Sequence, residues 1–198
     1  MRHQVPRIRL QEGVTAVRPF VRSDLDDLLR LRVANRGFLA PFEATREASF
    51  FTRAAQSREI TLDADAWTAG LGYAFAVLHV DATGSEHLIG RVALSNIVRG
   101  AWQNATIGYW ISEDACGSGH ATTAVGLVIA FAFEHAGLHR VQPAIMPRNV
   151  RSRRVVEKNG FRREGCAERY LQIDGVWEDH DIFAITAEEW PANKAVRS

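Results

Sequence analysis

Two cysteines among 198 residues, Cys116 and Cys166, leave no room for a disulfide framework and give no metal-ligand spacing. The seven histidines contain no His-Glu-x-x-His arrangement. His135 and His139 are four apart, but Gly137 and an expected helix end fall between them, so no metal site is expected. Long apolar runs are missing too. The longest apolar helix, around residues 121–133, is too short to span a bilayer and carries Thr and Gly, so no membrane partner is expected. The opening Met1-Arg-His-Gln-Val-Pro6 has no apolar core stretch and no small-residue cleavage site; no signal peptide is expected, and a cytoplasmic location is the default. Charge of one sign is absent as well: a net charge of +1 gives no support for direct nucleic-acid binding. There is no internal repeat, linker or low-complexity tract. What is present is 46% apolar and 24% charged residues, in a length that fits one domain over 1–198.

Periodicity gives a mixed α/β order. Residues 13–19 read as a first strand, and Ser23 or Asp24 caps a helix with Leu25, Leu28, Leu29 and Val33 on one face. A longer helical stretch runs from Thr45 to about Ala69, weakened by Ile60-Thr61. Strands follow at Tyr73–Val80, His87–Ile97 and Ala101–Ile111, an antiparallel run of three. Ala121, Ala124, Val125, Val128, Ile129 and Ala132 fall at helix spacing, with Gly137 ending that helix. His139–Met146 is a strand, Asn149 caps a helix that Gly160 terminates, and two strands flank the hairpin signal Asp174-Gly175. The fold class is α/β with a largely antiparallel sheet of about seven strands flanked by helices.

The densest functional signal lies between Asn104 and Thr122, where a strand runs into Cys116-Gly-Ser-Gly-His-Ala-Thr122 and then into the apolar helix. Such a junction points backbone N–H groups and the positive end of a helix dipole at one small volume, and Gly117 and Gly119 remove the Cβ atoms that would hold a phosphate away. An anion at the helix head is expected. A Walker A loop would need a Lys in this turn, and a dinucleotide fingerprint would need Gly where Thr122 stands; neither is present. The plain alternative is a tight strand-to-helix turn with no ligand. Cys116, close to a helix N-terminus, is either an activated thiol or a small residue tolerated in a turn.

Asn149, Ser152 and Gly160-Phe161 follow one helix and one strand later. Together with Asn35-Arg-Gly-Phe-Leu-Ala-Pro-Phe-Glu43, Ser95-Asn-Ile-Val-Arg-Gly100, Met146-Pro-Arg-Asn149 and Tyr170-Leu-Gln-Ile-Asp-Gly-Val-Trp-Glu-Asp-His180, this resembles the RimJ/RimL branch of the GNAT superfamily of acetyl-CoA-dependent N-acyltransferases. The resemblance runs from about Val14 to Trp190. It implies acetyl-CoA as co-substrate without a metal, and a protein N-terminus as acceptor, an alanine of a small-subunit ribosomal protein by analogy, in a monomer or homodimer. The family's phosphate loop, Gln/Arg-x-x-Gly-x-Gly/Ala, falls on Cys116, Gly119 and Ala121, with Cys116 departing from it. The residues this assigns to the cofactor are Gly117, Ser118, Gly119, His120, Ala121 and Thr122 for the pyrophosphate, and Tyr109, Trp110 and Ile111 for the pantetheine arm. Asn149 is to bond the cofactor, and Arg151, Arg153 and Arg154 are candidates for neutralising its phosphates.

Ser152 matches a serine that acts as general acid in RimL-type relatives, so it is expected to hydrogen-bond the departing sulfur; the alternative is a helix-cap Ser. Positions where relatives carry a glutamate base hold Leu171 and Ala144. Glu43 is the remaining carboxylate for a substrate-side role, with Glu168, Tyr170 and Asp174 in reserve. Tyr109 is expected chiefly to pack. Two further functions stay open at this level: acetylation of a small amine such as an antibiotic, amino acid or polyamine, and a non-catalytic acyl-CoA-binding or ribosome-assembly factor.

Overall fold

Alternating apolar residues build most of the expected strands, and in the computed structural model, which describes residues 8–190, they join one mixed sheet. The expected first strand is a hairpin, β1 (Leu10–Glu12) and β2 (Thr15–Pro19), folded at Gly13. β3 (Tyr73–Val80), β4 (Glu86–Val98) and β5 (Asn104–Ile111) form the antiparallel run, in register Ala74–Ala93–Gly108 and Ala76–Arg91–Trp110. The expected strand over 139–146 divides into β6 (Arg140–Gln142) and β7 (Ala144–Ile145). Pro143 separates them because it has no N–H to donate, although its carbonyl still accepts from Phe183 N–H at 3.0 Å. β8 (Arg162–Ile173) and β9 (Val176–Thr186) close the sheet as a hairpin, with positive φ at both Asp174 and Gly175 as the two-residue turn requires. Among the described residues nine strand segments thus replace the seven expected, the difference coming from the split first and fifth of the expected strands.

The helices are α1 (Leu25–Ala34), α2 (Arg36–Leu39), α3 (Arg53–Ala69), α4 (His120–Glu134) and α5 (Val150–Lys158). Three details differ from the sequence reading. Neither Ser23 nor Asp24 caps α1 through its side chain; the buried Asp24 carboxylate accepts instead from Val21 N–H (2.8 Å) and Arg18 (2.7 and 2.8 Å). α1 buries Leu28, Leu31 and Arg32 rather than Val33, which is exposed. α3 starts eight residues later than Thr45, at Arg53, where Thr52 Oγ1 accepts from Ala55 N–H; Ile60-Thr61 does not interrupt it, because Ile60 is buried and the Thr61 hydroxyl donates to Ser57 O at 3.0 Å.

Two apolar layers cover the sheet. α1 and α3 pack through Leu28, Leu31 and Ile60 on Ala16, Ala74, Ala76 and Leu78. α4 packs through Val125, Val128 and Ile129 on the opposite face, against Val17, Phe75, Val77, Val92 and Ile107. Among the described residues no helix is long and apolar enough to cross a membrane.

The feature that positions the site is a split in the sheet. β5 and β6 form the parallel pair, bonded through Asn104–Arg140, Ala105–Val141 and Thr106–Gln142, and the pairing stops there. Beyond it β7 pairs with β9, so the β5 edge from Ile107 to Ile111 faces a gap.

Candidate active site

The gap opens into a cleft of about 980 Å³. One wall is the end of β5. Ser112 N–H donates to Ile89 O on the β4 side (2.8 Å), so by strand alternation the N–H groups of Ile111 and Tyr109 point the other way, into the gap. Asn35 holds the end of that strand: buried between the helices, it accepts from Glu113 N–H at 2.7 Å and donates to Leu31 O at 2.9 Å.

The head of the cleft is the glycine turn. Gly117 (φ 88°) and Gly119 (φ 86°) both occupy the left-handed region, and a Cβ built at either meets nothing within 4 Å. Gly119 is the N-cap of α4 and supplies no side-chain cap, which leaves the first-turn N–H groups of His120, Ala121 and Thr122 turned toward the opening. This is the donor set an anionic phosphate needs. Asn159 ties α5 to this turn by donating to Thr122 O at 3.1 Å.

The opposite wall is the N-terminal end of α5. Asn149 Oδ1 accepts from Ser152 N–H at 3.1 Å, so Asn149 is the helix cap and Ser152 is not. Ser152 Oγ instead lies 2.7 Å from the Tyr109 hydroxyl, which is also 3.1 Å from Ser152 O. Burial pushes the Tyr109 phenol far above the usual tyrosine range, outweighing the hydroxyl contact, so it stays protonated at any ordinary pH. Two hydroxyls are therefore linked across the mouth of the gap, where sequence reasoning gave Tyr109 mainly a packing role. Strand alternation alone could not supply this, since a tyrosine facing the α4 side reads the same whether its tip is in the core or in a cleft.

Most of the expected cofactor residues come together here: Tyr109, Trp110, Ile111, Gly117, Gly119, His120, Ala121, Thr122, Asn149 and Ser152 all line the cleft. Ser118 is exposed between the two glycines and is not among the lining residues. His120 keeps its side chain inside the protein. Its ring is buried, with Nδ1 2.8 Å from Thr15 Oγ1, edge-on to His79, and burial lowers its pKa. Arg151 and Arg154 line the cleft, whereas Arg153 turns to Glu157 at 3.8 Å. Cys116 is not activated: burial raises its thiol pKa more than Arg151 lowers it, and Sγ sits 3.8 Å from Ile111 O.

Glu43 is not among the cleft-lining residues; its carboxylate lies 3.4 Å from the buried Arg32 guanidinium. Arg32 lies 4.4 Å over the Trp110 ring and 3.8 Å from Glu59, so it needs carboxylates around it to remain charged where it is. Leu171 is exposed on β8 and Ala144 sits on β7, so neither place for a family glutamate offers a base. Residues the sequence reading did not select also line the cleft, notably Phe38, Leu39, Phe42, Arg148 and Lys158; Phe42 carries the Arg148 guanidinium 5.7 Å from its ring.

Comparison with known proteins agrees with this geometry. Residues 15–162 match the family model described as "Acetyltransferase (GNAT) domain". The chain is 39% identical over 169 residues to "Probable N-acetyltransferase YjcK" of Bacillus subtilis, covering 85% of this chain and 92% of that protein. It is 30% identical over 189 residues to the ribosomal protein uS5 alanine N-acetyltransferase of Escherichia coli, covering 96% of each. Among solved structures, the ribosomal-protein-S5-alanine acetyltransferase from Vibrio fischeri superposes with a TM-score of 0.85 at 30% identity, over 92% of this chain and 98% of that one. Mycobacterium smegmatis RimJ, solved in complex with CoA-disulfide, gives the same TM-score and identity over 93% of this chain and 90% of that one.

Proposed function

Since the chain belongs to the GNAT acetyltransferase family and is an N-acetyltransferase of the RimJ/RimL type, we propose that it moves the acetyl group of acetyl-CoA to the N-terminal amine of a protein, an alanine α-amine of a small-subunit ribosomal protein being the first acceptor to test. Such an acceptor would place the reaction in the cytoplasm. The observation that carries the reading is one cleft with uncapped helix N–H groups at its head and the Tyr109–Ser152 hydroxyl pair at the split strand.

The donor set fits acetyl-CoA. The first turn of α4 and the two glycines suit its pyrophosphate, Arg151 and Arg154 add positive charge, and the β5 edge suits an extended amide-bearing arm. When bound, acetyl-CoA supplies an activated thioester. The N–H groups of Tyr109 and Ile111 offer the gap-facing donors that polarise a carbonyl and hold the negative charge that develops on it. Ser152 then donates to the departing sulfur. Tyr109 supports it by holding Ser152 in place: its hydroxyl donates to Ser152 O and lies 2.7 Å from Ser152 Oγ, a contact in which either hydroxyl can donate, and its raised pKa keeps the phenol protonated.

Replacing Ser152 by Ala is expected to lower kcat about 10–100-fold while acetyl-CoA affinity stays near that of the wild type, because the bond strengthens as thiolate charge develops. Tyr109→Phe should cost less, and the double variant little more than Ser152→Ala, since both hydroxyls act as one unit. Steady-state kinetics with calorimetric acetyl-CoA binding checks this; additive losses would separate the two roles.

The missing carboxylate base bears on the acceptor. An α-amine, with a pKa near ~7.7–8, is already partly neutral at pH 7, whereas deprotonating a lysine near ~10.4 costs about 3.5 kcal/mol more. The enzyme should therefore prefer peptides with a free N-terminal alanine over the same peptides blocked at the N-terminus and carrying lysine. Its rate should rise with pH through roughly pH 7–8 as the neutral amine accumulates, with no descending limb from Tyr109, which stays protonated. A panel of free peptides, blocked lysine peptides and small amines tests this. Efficient lysine or small-amine acetylation without N-terminal activity would overturn it.

A further inference from the structure

Gly108, midway along β5, is paired with Ala93 of β4 on one side, borders the gap on the other, and is exposed. It continues a row of small residues, Ala74 on β3 and Ala93 on β4, that floors a cleft of about 320 Å³ on the α3 side of the sheet. Asp63 of α3, Arg91 and Trp110 stand around that floor. Asp63 and Arg91 are paired at 2.7 Å, and burial raises the Asp63 carboxyl above its usual range in spite of that partner. The indole Nε1 of Trp110 is buried with no hydrogen-bond partner, a donor in need of an acceptor.

Folding does not call for glycine at 108. A Cβ built there meets nothing within 4 Å, its backbone lies outside the left-handed region, and a β-branched residue would favour the strand. The glycine keeps a space open. That space adjoins the reaction: Tyr109 and Trp110 line both this cleft and the larger one, so the two lie against the same stretch of β5.

We propose that the smaller cleft is the acceptor site. It takes the first residue of a polypeptide with a small N-terminal side chain, its ammonium beside Asp63, a peptide carbonyl on Trp110 Nε1, and the amine passing over the bare backbone of Gly108 toward the gap between β5 and β6. The inference rests on the acetyl-transfer reading above, and it assigns a place and a size limit that the reading does not. Asp63 is the one carboxylate in the lining, open to an ammonium because Glu59 (4.0 Å from Arg91 and 3.8 Å from Arg32) shares the neutralisation of Arg91. The row Ala74–Ala93–Gly108 makes the room for that first residue, and the volume of about 320 Å³ sets the limit on its side chain.

The test is Gly108→Val beside Gly108→Ala, each assayed for acetyl-CoA binding by calorimetry and for transfer to whichever acceptor the wild type uses best in the panel above. Gly108→Val should keep wild-type acetyl-CoA affinity and lose about 100-fold in kcat/KM for the acceptor, with Gly108→Ala intermediate. Calorimetric titration of an alanine-first peptide into the enzyme loaded with CoA should show binding to the wild type and none to Gly108→Val. Near-UV circular dichroism establishes that the variants are folded; were the valine form not folded, the alanine form carries the same comparison. A folded Gly108→Val with unchanged acceptor kcat/KM, or a wild type whose peptide binding survives the substitution, overturns the proposal. If the panel shows a different amine to be the substrate, the N-terminal reading fails on its own, while the response of that amine's KM to Gly108→Val still decides the cleft.

Discussion

Gly119→Glu is expected to reduce acetyl-CoA affinity more than about 100-fold while the protein remains folded. The side chain would start from a Cβ position with nothing within 4 Å, so it does not clash with the protein; it enters the space that the first-turn N–H groups of α4 face. Two like charges about 4 Å apart repel by roughly 4 kcal/mol at an effective dielectric constant near 20, and the carboxylate would also compete for the N–H donors. Because φ at Gly119 is 86°, any L-residue there carries backbone strain of roughly 1–3 kcal/mol. Gly119→Ala shares that strain without the charge, and its affinity should fall far less. Calorimetry on both variants, with a thermal melt to follow the strain, separates the two effects. Full acetyl-CoA binding by Gly119→Glu would remove the phosphate site from the head of α4.

Gly90 gives the second large effect, and it never touches the ligand. It pairs with Ile111 across β4 and β5, and a Cβ added to it would lie 2.3 Å from Trp110 O and 3.0 Å from Ile111 Cα. Those are backbone atoms of the strand that borders the gap, so they cannot move aside without moving the site. Gly90→Ala should destabilise the fold by about 1–3 kcal/mol, and Gly90→Val by more, with melting temperature falling roughly 2–4 °C for each kcal/mol. Acetyl-CoA affinity should drop with it, since β5 must shift or twist. Thermal melts paired with calorimetry provide the check; unchanged stability and binding would mean that β4 and β5 separate at no cost.

The glycines show why some of the site was legible and some was not. Gly117 and Gly119 announce themselves in sequence because a strand pattern precedes them and a helix pattern follows, and that junction has one local meaning. Gly90 and Gly108 sit inside strand patterns, where a glycine reads only as a weak position. Their opposite reasons, a backbone pressed close at Gly90 and open space at Gly108, exist only once three strands are in register. Ser152 is intermediate. Its place in the first turn of α5 was readable, and capping was the plain alternative; the structure gives the cap to Asn149 and pairs Ser152 with a tyrosine 43 residues away.

The charged residues divide in the same way. Glu43 looked available because a carboxylate before a helical stretch has no local partner. Nothing in the local sequence marks Arg32. The turn of α1 that buries Leu28 and Leu31 also brings Arg32 under Trp110, where a desolvated guanidinium requires counter-charge, and Glu43 and Glu59 are the carboxylates in reach. Helix phase decided this pairing, and phase is set by packing on the sheet.

By itself the sequence determined the main order of strands and helices, the α/β class, the glycine turn at the head of α4, the cap at Asn149 and the hairpin at Asp174-Gly175, because each depends on contacts within a few residues. Tertiary structure alone decided that β5 parts from β6 after Thr106, that Tyr109 meets Ser152, that Glu43 serves Arg32, and that Gly108 is left uncovered. Those are relations between strands and helices far apart in the chain, fixed by register and by which faces pack together, and local periodicity carries no information about either.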